Sequence, residues 1–170
     1  MLLAVLTVSD RCSQGLMTDT AGPVLVALLG QQWPQAEIWT GLVPDDEDRI
    51  AATLEELSLQ GAALILTVGG TGLGPRDRTP EATRRMIDRE APGLAEAMRS
   101  LGAVNHPFAW LSRAVAGLRG STLIVNLPGS KRGAEESLAS ILALLQHGIE
   151  VAALHVEHQA NLRLCVDCAA

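Results

Sequence analysis

The sequence is poor in aromatic residues. Among its 170 residues it has no tyrosine, one phenylalanine and three tryptophans, while 48% of the chain is hydrophobic. The core must therefore be built from leucine, isoleucine, valine and alanine. A chain of this length suits one domain that folds without disulfides or a structural metal. The composition indicates a globular domain rather than a disordered chain.

Lysine is nearly absent, and Lys131 is the only one in the sequence. The formal net charge is −6. No cluster of basic residues and no run of stacking aromatics is present, which argues against a nucleic-acid partner and against an anionic membrane surface. Positive charge is delivered almost entirely by arginine, whose planar guanidinium suits phosphate or carboxylate.

Cysteine is also scarce, and the three cysteines do not form the framework of a small secreted protein. The apolar start has no basic segment before it, and no apolar run approaches the roughly 20 residues that span a bilayer. We therefore expect a cytoplasmic protein with no membrane association. His155, His158, Cys165 and Cys168 could form a tetrahedral zinc site, and the alternative is a frayed tail with incidental thiols.

Apolar strands alternate with amphipathic helices along the chain. Strands are predicted at residues 2–8, 36–42, 62–68 and 121–126, and helices at residues 18–29, from 44, from 79, at 94–101 and at 134–147. This order predicts an α/β fold with a mostly parallel central sheet covered by helices on both faces. We expect one domain over residues 1–150 and a tail of unclear role over residues 151–170.

Polar or glycine-rich segments follow three of the predicted strands. Ser9 and Asp10 follow the first strand, residues 69–77 follow the third, and residues 126–130 overlap the end of the fourth. Ligands of such sheets bind outside the carboxyl ends of the strands. The sequence therefore predicts that these segments converge on a ligand.

The most informative segment is the glycine-rich loop, which contains Gly69, Gly70 and Gly72 and precedes a helix start at Thr79. Backbone amides without side chains can surround an anion, and a helix start favours negative charge. Asp77 is out of place in such a loop unless it holds Mg²⁺ or orients a reacting group. The alternative is a flexible connection in which Asp77 pairs with an arginine. The spacing fits neither a dinucleotide fingerprint nor a P-loop.

Two further segments have structural alternatives. Ser130 can cap the next helix or, with Lys131 beside it, face a bound anion. Asp45 can be a helix-capping or first-turn acid or a functional one. Ser112 and Arg113, taken alone, indicate no function.

Residues 67–83 and 111–133 resemble the two signatures of the molybdopterin-binding family, and especially the adenylyltransferase domains of gephyrin and its relatives. The resemblance implies a three-layer α/β/α sandwich that is usually trimeric. It also implies transfer of AMP from Mg-ATP to the terminal phosphate of molybdopterin, with release of pyrophosphate, in molybdenum cofactor biosynthesis. A separate molybdotransferase would then receive the product.

The same resemblance implies catalytic roles for Asp45, Asp77 and Ser112, with Asp77 as the candidate Mg²⁺ ligand. Two alternatives remain, a molybdopterin-binding protein without transferase activity and a trimeric scaffold. The scaffold predicts an exposed apolar patch and no nucleotide binding. The residues implied to bind substrate are Ser9, Asp10, Gly69, Gly70, Thr71, Gly72, Arg113, Asn126, Pro128, Gly129 and Ser130.

Overall fold

In the computed structural model, the backbone of residues 1–167 and the side chains of residues 1–154 are described. Within that part of the chain, six strands form one sheet in the order β2-β1-β3-β6-β5-β4. Strands β2, β1, β3 and β6 are parallel, whereas β5 runs antiparallel to both β6 and β4. The strands are β1 (Leu2–Val8), β2 (Glu37–Val43), β3 (Ala62–Val68), β4 (Arg89–Glu90), β5 (Ala116–Arg119) and β6 (Thr122–Leu127).

Helices cover both faces of this sheet. One face packs against α2, α5 and α6, through buried residues such as Leu25, Met98 and Leu138, and the other packs against α3 and α4 through residues such as Leu54 and Ala82. The predicted three-layer sandwich with a mostly parallel sheet is confirmed. The helices are α1 (Asp10–Ser13), α2 (Gly22–Gln32), α3 (Glu47–Leu59), α4 (Thr79–Met86), α5 (Pro92–Asn105) and α6 (Lys131–Asp167), and a 3₁₀ helix spans Pro107–Leu111.

The central strands are buried on both faces, which explains their continuous apolar sequences. Along β1, Leu3 and Val5 face the α2–α5–α6 layer, while Ala4 and Leu6 face the α3–α4 layer. Side chains alternate between the faces with a period of two, so a strand between two helical layers needs apolar residues at every position.

Two short strands were not predicted from the sequence. β5 and β6 form a hairpin in which Arg119 pairs with Thr122 across the two residues Gly120 and Ser121. Gly120 has a φ of +57° at the first turn position, where glycine is favoured. β4 then pairs with the outer edge of β5 through Arg89 and Glu90.

Helix α6 is longer than predicted. It starts at Lys131 rather than at residue 134 and continues to Asp167, so the expected domain boundary near residue 150 lies inside a helix. Contrary to the sequence-based expectation, its residues Lys131–Leu154 are long and apolar enough to cross a membrane by length and composition. One side of the helix belongs to the core, however, through Ala134, Leu138, Ile141, Leu145 and Ile149. Packing on the sheet therefore accounts for the apolar residues on that side, whereas Leu144, Val151 and Leu154 on the same helix are exposed.

Candidate active site

The carboxyl ends of the parallel strands lie side by side at one edge of the sheet. Val8 of β1 pairs with Val43 of β2, and Val68 of β3 pairs with Leu127 of β6. Immediately after β1, the amide of Ser9 donates to the carbonyl oxygen of Val43 at 2.9 Å. The segments that follow these strands therefore meet at this edge, as the sequence predicts.

Glycine allows the loops after β1, β3 and β6 to touch through their backbones. Gly69 has a φ of +107°, and a Cβ there would overlap the carbonyl oxygen of Val8. A Cβ on Gly129 would lie 3.1 Å from the Cα of Gly69, whose amide donates to the carbonyl oxygen of Leu127 at 3.1 Å. A side chain at either glycine would force the loops apart.

The start of α4 is anchored on the same glycine loop. The hydroxyl of Thr79 donates to the carbonyl oxygen of Gly69 at 2.8 Å, and its amide donates to that of Gly70 at 3.1 Å. Gly70 has a φ of +62°, and a Cβ there would overlap the Thr79 hydroxyl and come within 3.0 Å of Asp45 Oδ1. The loop therefore brings bare backbone beside a carboxylate.

Asp10 and Asp45 tie the loops after β1 and β2 together. The amide of Asp10 donates to Asp45 Oδ2 at 2.8 Å, and the amide of Asp45 donates to Asp10 Oδ1 at 3.0 Å. Arg76 reaches across from the glycine loop to Asp10 Oδ2 at 2.7 Å. The N-cap of α3 is the neighbouring Asp46, which accepts from the amide of Arg49. Asp45 is therefore free of a capping role.

The pKa of Asp45 is raised above its ordinary value. Partial burial is the main cause, and the negative charges of Asp10 and Asp77 add to it. The hydrogen bond from the Asp10 amide and the charge of Arg76 oppose the rise without cancelling it. An added positive charge at this edge would favour the ionised form of Asp45.

Asp77 lies inside the glycine loop, folded back over its own turn. Its Oδ2 accepts a hydrogen bond from the amide of Gly74 at 2.7 Å. A Cβ on Gly72 would lie 2.9 Å from the same oxygen. In the part of the chain with described side chains, no group of three or more His, Cys, Asp or Glu residues is arranged around a metal position. Mg²⁺ commonly uses one or two carboxylates and completes its shell with water and phosphate, and the carboxylate of Asp77 is a donor of that kind.

A cavity of about 720 Å³ opens between the glycine loop, the 3₁₀ helix and the start of α6. Ser112 lines it together with Thr71, Gly72 and Pro128, which the sequence analysis also singled out. Its lining also includes six apolar residues, namely Leu73, Met98, Phe108, Ala109, Leu111 and Ala114, and the charged residues Asp77, Arg99, Arg132 and Glu136. We refer to it below as the apolar cavity.

A second cavity of about 610 Å³ lies over the ends of β1, β2 and β3. Its lining includes Ser9, Asp10 and Asp45, as well as Gly69 and Lys131. Because hydroxyl, carboxylate and ammonium groups dominate this lining, we refer to it as the polar cavity.

The two cavities share one wall, which consists of Gly70, Asp77, Gly129 and Ser130. Ser130 also caps α6, since its hydroxyl accepts from the amide of Gly133 at 3.2 Å. Both interpretations of Ser130 from the sequence therefore fit its position. Two ligands that occupied the separate cavities would meet across bare backbone, one carboxylate and a helix start.

Asn126 does not line either cavity, although the sequence analysis included it among the substrate-binding residues. Its side chain is fully buried, and its Oδ1 accepts from the amide of Val115 at 3.1 Å. Its Nδ2 donates to the hydroxyls of Thr67 and Thr83 at 2.9 and 2.8 Å. The amide is thus committed to hydrogen bonds inside the protein and is not available to a ligand.

Arg113 also lies outside the lining of both cavities. Its guanidinium turns toward the far side of the glycine loop, where Nε donates to the carbonyl oxygen of Gly72 at 2.6 Å. The remaining nitrogens contact Glu81 and the carbonyl oxygen of Asp77. The predicted substrate-binding role of Arg113 therefore has no direct support in this geometry.

The apolar residues of the first cavity were not predicted from the sequence. Leu73, Phe108 and Leu111 are 66%, 80% and 52% exposed, and they come from two segments that are far apart in the chain. Leu73 lies in a loop and the other two lie in a 3₁₀ helix of five residues, and such short segments carry no periodic signal, so only the fold brings these residues together. The candidate zinc residues His155, His158, Cys165 and Cys168 lie outside the residues whose side chains are described, and that site stays a prediction.

Comparison with known proteins gives consistent matches over most of the chain. The family described as "Probable molybdopterin binding domain" matches residues 4–147. The molybdopterin adenylyltransferase of Haemophilus influenzae is 42% identical over 141 residues, which cover 82% of this chain and 72% of that protein. The molybdenum cofactor synthesis protein cinnamon of Drosophila melanogaster is 40% identical over 148 residues, which cover 86% of this chain and 25% of that protein.

A solved structure agrees with these sequence matches. The molybdopterin biosynthesis enzyme MoaB of Thermus thermophilus superposes with a TM-score of 0.83 at 47% identity, over 89% of this chain and 95% of that one. The chain spans about a quarter of the length of the cinnamon protein and less than half of the length of two further relatives. The similarity therefore concerns one domain of those longer proteins.

Proposed function

The chain belongs to the family of probable molybdopterin binding domains, and from this membership we propose that it is a molybdopterin adenylyltransferase of molybdenum cofactor biosynthesis. The reaction transfers AMP from ATP to the terminal phosphate of molybdopterin and releases pyrophosphate. Relatives of that name, at 39–42% identity, support the proposal. We propose the cytoplasm as its location.

The observation that carries the proposal is the wall shared by the two cavities. Transfer between two phosphate-bearing substrates requires that the attacking oxygen and the α-phosphorus approach in line, at a point that both ligands reach. Gly70, Asp77, Gly129 and Ser130 form such a point, because each of them lines both cavities.

The two linings suggest which substrate occupies each cavity. We place the pterin in the apolar cavity, where Phe108 and Leu111 offer flat, apolar contact and Ser112 offers a polar one. We place the nucleotide in the polar cavity, beside Ser9 and Lys131. The terminal phosphate of molybdopterin and the α-phosphate of ATP then meet at the shared wall.

In this reaction an oxygen of the molybdopterin phosphate forms a bond to the α-phosphorus of ATP, and the bond from that phosphorus to the β-phosphate oxygen breaks. Backbone amides near Gly70 and Gly129 and the start of α6 face the negative charge that develops on the phosphates. Asp77 is the residue of the shared wall that would hold Mg²⁺, and the ion would neutralise phosphate charge when bound. Asp45 supports the wall from the polar side through its contact with the Asp10 amide.

The direct test is to incubate the purified protein with molybdopterin, ATP and Mg²⁺ and to follow pyrophosphate and adenylylated pterin. We expect both products in equal amounts, and neither when Mg²⁺ is removed by a chelator. A folded protein that binds molybdopterin but forms neither product would contradict the transferase proposal and favour a binding-only role.

A trimeric scaffold is a second candidate, and exposed apolar residues favour it. Val104 and Phe108 are each 80% exposed, and Trp110 is 59% exposed, along the end of α5 and the 3₁₀ helix. Such residues close together mark an association surface. The scaffold predicts assembly without nucleotide binding, so titration with ATP and Mg²⁺ separates it from the transferase. Hand-over of the product to a separate molybdotransferase is part of the transferase proposal.

A further inference from the structure

We propose that Arg113 is a positioning residue that, with Glu81, holds the glycine loop in the shape that binds phosphate. Neither residue lines the apolar cavity or the polar cavity, so Arg113 would act through the loop and not on a substrate. The proposal rests on the proposed function for its effect on turnover, but its structural part can be tested without activity.

Arg113 contacts the loop at three carbonyl groups. Its own amide donates to the carbonyl oxygen of Thr71 at 2.9 Å, and its Nε donates to that of Gly72 at 2.6 Å. Its Nη2 donates to the carbonyl oxygen of Asp77, at the other end of the same loop. One rigid guanidinium therefore fixes both ends of the segment from Gly72 to Asp77, which contains two glycines and would otherwise sample many conformations.

Glu81 holds the guanidinium in place from the first turn of α4. Its Oε1 accepts from Arg113 Nη1, and the two side chains are only 29% and 32% exposed. Burial raises the pKa of Glu81, but the hydrogen bond and charge of Arg113, with smaller contributions from its own backbone and Arg78, outweigh this effect and leave the pKa below its ordinary value. The other carboxylate oxygen, Oε2, is buried and accepts no hydrogen bond within the described residues. Arg113 is thus the main reason that this carboxylate is stable where it lies.

The contacts between Arg113 and the loop carbonyls determine where the loop amides point. In a trans peptide the carbonyl and the following N–H point in opposite directions. Because the carbonyls of Thr71 and Gly72 point to Arg113, the N–H groups of Gly72 and Leu73 point away from it. Both residues line the apolar cavity, and neither N–H donates a hydrogen bond within the described part of the chain. These amides are therefore available to an anion on the cavity side.

A lysine at position 113 cannot make the three side-chain hydrogen bonds that Arg113 makes. The three side-chain bonds of Arg113 leave from three different nitrogens held in one plane, whereas an ammonium group is a single point. The variant R113K should therefore keep the charge beside Glu81 but lose the grip on both ends of the loop.

The chain offers a matched control in Arg119. Its Nη2 pairs with Glu55 at 2.7 Å, its Nη1 donates to the carbonyl oxygen of Met86 at 3.1 Å, and its side chain is 27% exposed. It thus has the same kind of partners and similar burial, but it contacts no residue of the glycine loop.

The experiment compares R113M, R113K and E81Q with R119M by hydrogen exchange of the amides in residues 70–78 and by the kcat and KM of AMP transfer. We expect faster exchange of these amides in R113M and R113K, and a fall in kcat of about 100-fold for R113M, because small displacements of a reacting group have effects of that order. E81Q should change both readouts in the same direction but less. R119M should match the wild type in both.

The outcomes separate this inference from the proposed function. Exchange in R113M and R113K that matches R119M overturns the positioning role, whatever the activity. Loss of turnover with unchanged exchange also overturns it, because Arg113 would then act on a substrate directly. If R113M does not fold, E81Q and R113K decide by the same two readouts. If the wild type transfers no AMP, the proposed function fails while the exchange data still decide the role of Arg113.

Discussion

Asp77 is the carboxylate that lines both cavities. A substitution can remove its charge and still keep the hydrogen bond that it accepts within the loop. Oδ2 accepts one hydrogen bond, from the amide of Gly74, and an asparagine oxygen can accept the same bond. The turn needs only an accepting oxygen at this position. If Asp77 holds Mg²⁺ at the phosphates, its charge is needed for the reaction.

We predict that D77N lowers the kcat of AMP transfer at least about 100-fold, the scale of losing one electrostatic contact in a transition state. The free energy of unfolding should change by less than about 1 kcal/mol. Steady-state assays and urea unfolding measure the two effects. D88N is the matched control, since Asp88 also accepts one backbone amide, from Gly120 at 2.7 Å, in an exposed turn. Full turnover by folded D77N would refute the assigned role.

The raised pKa of Asp45 makes the stability of the protein depend on pH. The native state holds the Asp45 proton more tightly than the unfolded state, so this contribution is present at low pH and is lost as the pH rises through the native pKa. The asparagine side chain in D45N does not titrate, so the stability of that variant does not change with pH at this position. We therefore predict that D45N becomes more stable relative to the wild type between about pH 4 and pH 7.

Urea unfolding at several pH values measures this difference. D46N removes a charge from the adjacent N-cap, where asparagine caps equally well, and controls for the change in net charge. A gap between D45N and the wild type that stays constant or shrinks with pH would be inconsistent with the burial of an ionised Asp45.

At the scale of elements, Asn126 connects three of them and the segment that precedes β5. Its amide bonds reach Val115 just before β5, Thr67 on β3 and Thr83 on α4, and the residue itself lies on β6. Because α4 follows the glycine loop directly, this network also holds the base of the shared wall.

We predict that N126A lowers the free energy of unfolding by about 2–4 kcal/mol, since a buried polar group left without a partner costs about 1–3 kcal/mol. Urea unfolding is the measurement. N105A, at the exposed end of α5, is the control and should change stability by no more than about 0.5 kcal/mol. An N126A protein as stable as the wild type would show that the network is not required.

The elements differ in how well the sequence predicts them. The bounds of β1 and β3 agree with the prediction, because each is a continuous apolar run that ends in polar or glycine residues. β5 was missed, since its four residues are too short for a periodic signal and depend on pairing with β6. The end of α6 was predicted about twenty residues too early, at His147, because Gly148 follows directly and glycine often ends a helix; the helix instead continues through that glycine to Asp167.

At the scale of the whole molecule, the net charge of −6 disfavours both anionic substrates. Attraction must therefore be local, from backbone amides, helix starts and a few arginine and lysine side chains at the edge of the sheet. Apolar side chains also remain exposed on this single chain, among them Val104, Phe108 and Trp110 near the apolar cavity and Val151 on α6. Association of several chains would remove such surface from water.

We predict that the protein is a homotrimer in solution, as the family resemblance implies. Sedimentation velocity over a range of protein concentrations should give a mass three times the 17.9 kDa of one chain. The same experiment with D77N serves as a control, because that substitution lies in the site and should leave assembly unchanged. A mass of one chain at all concentrations would contradict the prediction.

The sequence by itself determined the fold class and the segments of the site. Strand identity and glycine loops depend on neighbours in the chain, so alternation, apolar runs and glycine-rich segments can be read locally. Only the tertiary structure decided what single side chains do. Arg113 contacts a carbonyl 41 positions away in the sequence, and Asn126 spans 59 positions to Thr67. Such contacts depend on how the layers pack, and that packing placed two predicted substrate-binding residues outside the cavities and joined the two cavities at one wall.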